Sequence, residues 1–328
     1  FLRRNRRCSI SNDKIAPINI GKPHTIQRDN VNTDIVITCL PAAHCPGSVM
    51  FLIEYEGKRI LYSGDIRLTE KDLKNIVGTL TNLDGSIIQL DDLYLDTTFA
   101  VTSQLEDFPP REDSELTIID FARQFLTVSS KRQVVIDVAA KFGYENLFIK
   151  LSKAFKTRIV VHEDIMACYE NIEEIRDYVS AVHDPNSAGE YNWLIHACSN
   201  QSTCDLIRMR KSTLIIRPCA LGFVTNHSVV ENYSYSKYGV PFKETPGITR
   251  VFYSTHCSLN ELRRIYAYLK PKRVFPSVRD SDRSFKDILS LIGANGETGS
   301  RGLEVLPSRG LSDQERKRRS EIEKELLD

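Results

Sequence analysis

Ala42-Ala43-His44-Cys45-Pro46-Gly47-Ser48, two short apolar runs, and then Ser63-Gly64-Asp65 form the stretch on which the fold turns. The runs, 49–55 and 58–63, read as strands joined by Glu56-Gly57. A two-residue loop ending in Gly is a strong hairpin signal. The hairpin predicts that His44 and Asp65 sit at the ends of neighbouring strands, where both can face one metal ion. Imidazole and carboxylate suit a borderline cation such as Zn²⁺. Gly47 lets the backbone turn sharply after His44, and Gly64 lets the strand end before Asp65 approach an ion closely. A His in a Pro-Gly loop and an Asp in a turn are also ordinary loop residues, so the pair alone leaves both readings open.

The chain has 328 residues, a length that points to two domains. It begins at Phe1 rather than Met, from which a fragment of a longer product is expected. Hydrophobic residues make up 41% and charged residues 27%, a globular composition. A net charge of +1 gives no global case for a nucleic-acid binder, so local charge must carry that case. None of the 8 Cys form a CxxC pair, and several lie in apolar runs. Free buried thiols in a reducing compartment are expected. No apolar run approaches the roughly 20 residues of a membrane span, and nuclear or cytosolic residence is expected.

Outward from the hairpin, 34–40 reads as a strand, and 92–95 as a short strand feeding Asp96-Thr97-Thr98. Residues 101–115 are acidic, contain Pro109-Pro110 and read as a linker. Strands and helices then alternate: strand 132–138, helix 143–155, strand 158–162, helix 164–179, strands 193–198 and 213–218. That alternation predicts a parallel sheet with helices on its faces. A third section starts near 249, with a strand at 251–253. Ser258 and Glu261 form a capping box for a helix reaching 270. A strand at 273–276 and a helix at 285–292 follow, the helix stopped by Gly293. Residues 294–328 read as a polar linker and a charged helix.

Three further positions can carry chemistry. Asp96 can hydrogen-bond a ligand imidazole or orient water, and it can equally be a turn residue. His256, in Tyr253-Ser254-Thr255-His256-Cys257-Ser258, stands just before a capped helix, where it could contact a phosphate or a second metal or simply sit near the cap. His196, in Trp193-Leu194-Ile195-His196-Ala197-Cys198, has the flanks of a buried strand, and a satisfied core histidine is its ordinary explanation. His24, His162, His183 and His227 have no supporting constellation. There is no Walker loop, no GxGxxG after a strand and no GxSxG. Basic residues cluster at Arg263, Arg264, Lys270, Lys272, Arg273, Arg279 and Arg283, at Arg208, Arg210, Lys211 and Arg217, and at Arg3, Arg4, Arg6 and Arg7. Such clusters can track a phosphate backbone or form a solvated face.

Taken together, these segments resemble the metallo-β-lactamase/β-CASP nuclease family, most closely its Artemis branch. The third metal motif of that family is similar to Ala43-His44-Cys45-Pro46-Gly47-Ser48, and the fourth to Tyr62-Ser63-Gly64-Asp65-Ile66-Arg67. Leu95-Asp96-Thr97-Thr98-Phe99 resembles motif A, Ile195-His196-Ala197-Cys198 motif B, and His256 with Ser258 motif C. The resemblance covers about 1–290.

It implies an α/β fold: a metallo-β-lactamase αββα sandwich from 1–100 and 249–293, incomplete at the N-terminus, with a β-CASP cap inserted at 101–248. It implies a metal-dependent DNA nuclease of double-strand-break or crosslink repair, acting as 5′-to-3′ exonuclease or structure-selective endonuclease in the nucleus. Its substrates would be single-stranded ends, overhangs and hairpins, with DNA-repair proteins as further partners and no membrane. His44 and Asp65 would bind one or two Zn²⁺ ions, with Mg²⁺ as the alternative at a second position; Asp96, His196 and His256 would be catalytic. The family's H-x-H-x-D-H motif has no counterpart in this sequence, so this chain alone is expected to lack a complete metal site and to be inactive. An RNA-processing β-CASP nuclease and a catalytically degenerate DNA-binding scaffold are the alternatives.

Overall fold

The computed structural model describes residues 16–27, 33–82, 84–101, 105–182, 193–198, 204, 212–225, 248–278 and 284–294. The clusters at Arg3–7 and Arg208–Lys211, Arg279, Arg283, His183, His227 and the expected terminal helix lie outside them.

The first layer is a six-stranded sheet of order β1-β2-β3-β4-β5-β12. Its strands are β1 (Pro23–Ile26), β2 (Ile35–Pro41), β3 (Val49–Tyr55), β4 (Lys58–Tyr62), β5 (Asp92–Leu95) and, from the far end of the chain, β12 (Arg273–Pro276). The β3–β4 hairpin forms as expected: Glu56 and Gly57 have φ of +49° and +74°, the mirror-image turn that matches strand twist. Because side chains alternate across a strand, Leu40, Met50, Leu52, Leu61, Leu93 and Val274 share one face. They form a core with helices α1 (Glu70–Val77), α7 (Leu259–Leu269) and α8 (Phe285–Leu291). Each such buried side chain contributes roughly 1.5–3 kcal/mol. On the opposite face, Phe51, Tyr62, Tyr94 and Phe275 stand side by side in register. Tyr94 stacks on Phe275 at 4.9 Å, and Tyr62 is exposed.

The second layer is a wholly parallel six-stranded sheet of order β11-β10-β6-β9-β7-β8. Its strands are β6 (Gln133–Asp137), β7 (Ile159–Val161), β8 (Val179–Ala181), β9 (Ile195–Cys198), β10 (Thr213–Cys219) and β11 (Ile248–Phe252). β6 and β9 are buried throughout, as strands covered on both faces must be. Helices α2 (Arg111–Leu126) and α3 (Glu145–Phe155) share that core through Ile118, Ala122, Leu147 and Leu151. The short helices α4 (Glu163–Tyr169), α5 (Glu173–Arg176) and α6 (Leu221–Thr225) complete the described elements. Among the described residues, no helix is long and apolar enough to cross a membrane.

Sequence reading gives no element at β1, α1 or α6, and the elements differ from expectation in three further places. The acidic stretch expected as a linker over 101–115 already becomes α2 at Arg111, because Pro110 is tolerated at a helix start and Glu112 and Asp113 favour its first turn. The single helix expected over 164–179 is α4, α5 and β8, the last held by parallel pairing with β7. The strand expected to open the returning section is longer and pairs with β10 in the second sheet. The chain therefore crosses back after Phe252, and the crossing carries His256.

Candidate metal centre

Three sheet ends deliver the side chains. β2 ends into the loop that carries His44. β4 ends at Ser63-Gly64-Asp65. β11 ends into Tyr253-Ser254-Thr255-His256, and α7 follows under the Ser258–Glu261 capping box. The His44 loop is built on Ser48, whose hydroxyl accepts from the His44 and Cys45 amides at 3.2 and 3.1 Å and donates to the Cys45 carbonyl at 2.7 Å. Gly47 and Gly64 have φ of +78° and +55°, the left-handed values their turns demand.

His44, Asp65 and His256 converge, with ligand atoms all within 4.8 Å of one another. The two imidazole rings meet edge to face at 4.9 Å. Each is fixed from behind through Nδ1. His44 Nδ1 lies 3.0 Å from the Thr255 carbonyl, and His256 Nδ1 lies 2.8 Å from Asp96 Oδ2. Both partners are acceptors, so each Nδ1 carries a proton and each Nε2 is the ring atom left to face an ion, the orientation a ligating histidine needs.

Burial lowers the His44 pKa, with the positive fields of His256 and Arg111 adding to it; the Thr255 carbonyl and Asp65 act the other way. Asp96 is nearly fully buried. Burial alone would raise its pKa, but hydrogen bonds from His256 and Thr98 and the His256 charge leave it below the ordinary carboxylate range. Its Oδ2 also accepts the Ile66 amide at 3.1 Å, and its Oδ1 the Thr98 amide at 3.0 Å and hydroxyl at 2.6 Å. Asp96 thus ties β5, the Asp65 turn and His256 together. Two imidazoles and a carboxylate around one point fit a divalent cation of Zn²⁺ type.

His196 stands in a different cluster. It is fully buried on β9, its Nδ1 2.9 Å from the Val160 carbonyl, and burial pushes its pKa down to about 4. Its Nε2 lies 3.4 Å from Cys204 Sγ, and His162 Nε2 lies 3.5 and 3.6 Å from the sulfurs of Cys204 and Cys198. These four donors all fall within 4.8 Å of one another. Tetrahedral zinc with bonds of about 2.0–2.3 Å sets ligand atoms roughly 3.3–3.8 Å apart, and the three nitrogen–sulfur spacings fall in that range. Sequence reasoning gave His162, Cys198 and Cys204 no role. The one local signal was His196-x-Cys198, two residues on the same strand face; His162 and Cys204 join only through the fold.

Several basic residues expected to follow a phosphate backbone are paired with carboxylates instead. Arg263 meets Glu106 at 2.6 Å, Arg264 meets Asp107 at 3.2 Å and Lys272 meets Asp91 at 2.7 Å. Arg273 binds Asp92 through Nε and Nη2 at 2.6 and 2.8 Å, and Arg217 pairs with Asp137. Their charge is compensated locally, by acids remote in sequence.

A family model described as DNA repair metallo-beta-lactamase matches residues 181–282. The chain is 31% identical to Protein artemis of Gallus gallus over 255 residues, covering 75% of this chain and 33% of that protein. It is 28% identical to Protein artemis of Rattus norvegicus over 255 residues, covering 75% and 34%. It is also 28% identical to 5' exonuclease Apollo of Rattus norvegicus over 289 residues, covering 87% and 47%. The chain therefore spans between a third and a half of these relatives' length. A solved structure of a protein of unknown function from Enterococcus faecalis V583 aligns with a TM-score of 0.51 at 14% identity, covering 80% of this chain and 61% of that one. That likeness speaks for the fold alone; the mixed α/β architecture with its two sheets agrees with the metallo-β-lactamase description of the matching family model.

Proposed function

Because this chain belongs to the metallo-β-lactamase/β-CASP nuclease family, close to the Artemis proteins, we propose that it is part of a metal-dependent DNA repair nuclease working in the nucleus. The observation that carries the proposal is the convergence of His44, Asp65 and His256 from three sheet ends, with Asp96 behind them. We assign His44, Asp65 and His256 as ligands and Asp96 as the carboxylate that orients His256. A zinc ion held there supplies Lewis acidity and water activation near neutral pH. The chain's own groups set that chemistry up. Thr255 and Asp96 keep both Nδ1 atoms protonated, and exposed Asp65 is free to reach a second ion.

The parallel second sheet is the part we assign to the β-CASP insertion. We assign His162, His196, Cys198 and Cys204 to a closed structural zinc site within it, so that His196 supports the cap through a metal. The substrate we assign is single-stranded DNA at ends, overhangs and hairpins, cut as a 5′-to-3′ exonuclease or a structure-selective endonuclease.

The test is cleavage of 5′-phosphorylated single-stranded DNA and matched RNA, by this chain and by a product extended upstream. DNA cleavage that Asp65→Asn abolishes, with DNA binding retained, supports the reading. Preference for RNA moves the protein to the RNA-processing branch. Absence of cleavage by both products leaves a DNA-binding scaffold.

A further inference from the structure

Arg111 opens α2 directly after Pro109-Pro110, and its guanidinium donates to the carbonyl of Ala43, the residue before His44. Ala43 has a φ of +53°, a left-handed conformation in which its Cβ crowds the backbone. An alanine stays there only where its surroundings hold it. The loop's other bonds hold its remaining groups. The Ala42 amide donates to the Ser48 carbonyl, the Ala42 carbonyl accepts the Arg67 amide, and Ser48 holds the His44 and Cys45 amides. The Ala43–His44 peptide is thus held at both ends, its N–H by Ser48 Oγ and its carbonyl by Arg111. The charge of Arg111 also acts on the buried carboxylates of Glu115 and Glu145, but among the described residues the guanidinium closes no ion pair with either, and the contact it makes is with the Ala43 carbonyl.

We infer that Arg111 is a positioning residue for His44: a clamp from the first turn of α2 that keeps Ala43 left-handed and so aims the imidazole at Asp65 and His256. The consequence for metal binding rests on the function proposed above; the clamp itself does not. The geometry also gives this arginine a reason to stand at the very start of the helix. There the two prolines limit the backbone, and the guanidinium reaches back over 68 positions of sequence to the loop.

The test is hydrogen exchange of the Ala42, His44, Cys45 and Ser48 amides in the metal-free chain. In Arg111→Met these amides should exchange about tenfold faster, with the amides in the middle of α2 unchanged. Arg111→Gln keeps one donor, should fall between, and carries the test if the Met variant does not fold. Glycine takes positive φ without strain, so adding Ala43→Gly should return exchange to wild type, a rescue that a merely structural loss would not show. Unchanged exchange in Arg111→Met and Arg111→Gln, or no rescue by Ala43→Gly, overturns the clamp.

Cobalt(II) titration separates the two claims, because thiolate-to-cobalt absorption distinguishes the Cys198–Cys204 cluster from the His44 cluster. Weaker binding at the thiolate-free site in Arg111→Met, restored by Ala43→Gly, supports both claims. A wild-type chain with the expected exchange pattern but no thiolate-free cobalt keeps the clamp and overturns the metal reading.

Discussion

Asp96 Oδ2 lies 2.8 Å from His256 Nδ1 across 160 residues of sequence, and the same oxygen accepts the Ile66 amide, one residue after Asp65. One buried carboxylate therefore fixes both an imidazole and a carboxylate of the candidate metal centre. Carboxylates that hold a ligating histidine typically change metal affinity by 10–100-fold when removed. We expect Asp96→Asn to weaken zinc at the His44–Asp65–His256 cluster by about that factor. Competition with a chromophoric chelator measures it, and unchanged affinity would show that His256 is not a ligand.

Four protein donors would close the second cluster around an ion, so a metal bound there would contribute to folding rather than to turnover. Cys198→Ser or Cys204→Ser should remove about one tightly held zinc per chain and lower the melting temperature. A chelator should lower the melting temperature of the wild-type chain in the same way. Elemental analysis that finds the same zinc in wild type and both variants contradicts the assignment.

His196 gives the metal-free chain a pH dependence of known sign. Its folded pKa of about 4 lies below its ordinary value of 6.5, chiefly because of burial. As pH falls below 6.5 the unfolded chain takes up the proton first. Stability is therefore lost between pH 6.5 and about 4, by about 3 kcal/mol in all, and does not fall further from this group below that. An NMR titration of His196 with its midpoint near 6.5 would remove the basis for this prediction.

Gly143, between β6 and α3, has a φ of +99°, and a Cβ there would stand 2.7 Å from Thr255 Cγ2. Its amide donates to both oxygens of the buried Glu145 carboxylate at 3.0 and 2.8 Å, and Tyr253 donates its hydroxyl proton to the Gly143 carbonyl at 2.9 Å. Gly143→Ala should cost roughly 1–3 kcal/mol and disturb Thr255, whose carbonyl holds His44. Denaturant unfolding reads the cost; a loss under about 0.5 kcal/mol, the size of an ordinary surface substitution, would show that the contact relaxes freely.

Much of the site was legible because its signals are local. The Glu56-Gly57 turn announces the hairpin, and the hairpin fixes where His44 and Asp65 lie. The Ser258–Glu261 box announces the helix behind His256. What stayed hidden depends on contacts distant in sequence. Cys198 meets His162 only because β7 and β9 pair, and Arg263 and Arg273 look free until Glu106 and Asp92 fold against them. Strand Ile248–Phe252 reads as apolar sheet in either layer, and only its register with β10 places it. Ala43 gave no signal at all, since nothing in an alanine announces a left-handed backbone.

Anomalous diffraction at the zinc edge, from crystals of this chain equilibrated with zinc, tests the central claim most directly. The account predicts a peak about 2.0–2.2 Å from His44 Nε2, His256 Nε2 and a carboxylate oxygen of Asp65, separate from a second peak among His162, His196, Cys198 and Cys204. A map with density only at the thiolate cluster, and none where His44, Asp65 and His256 converge, would contradict it.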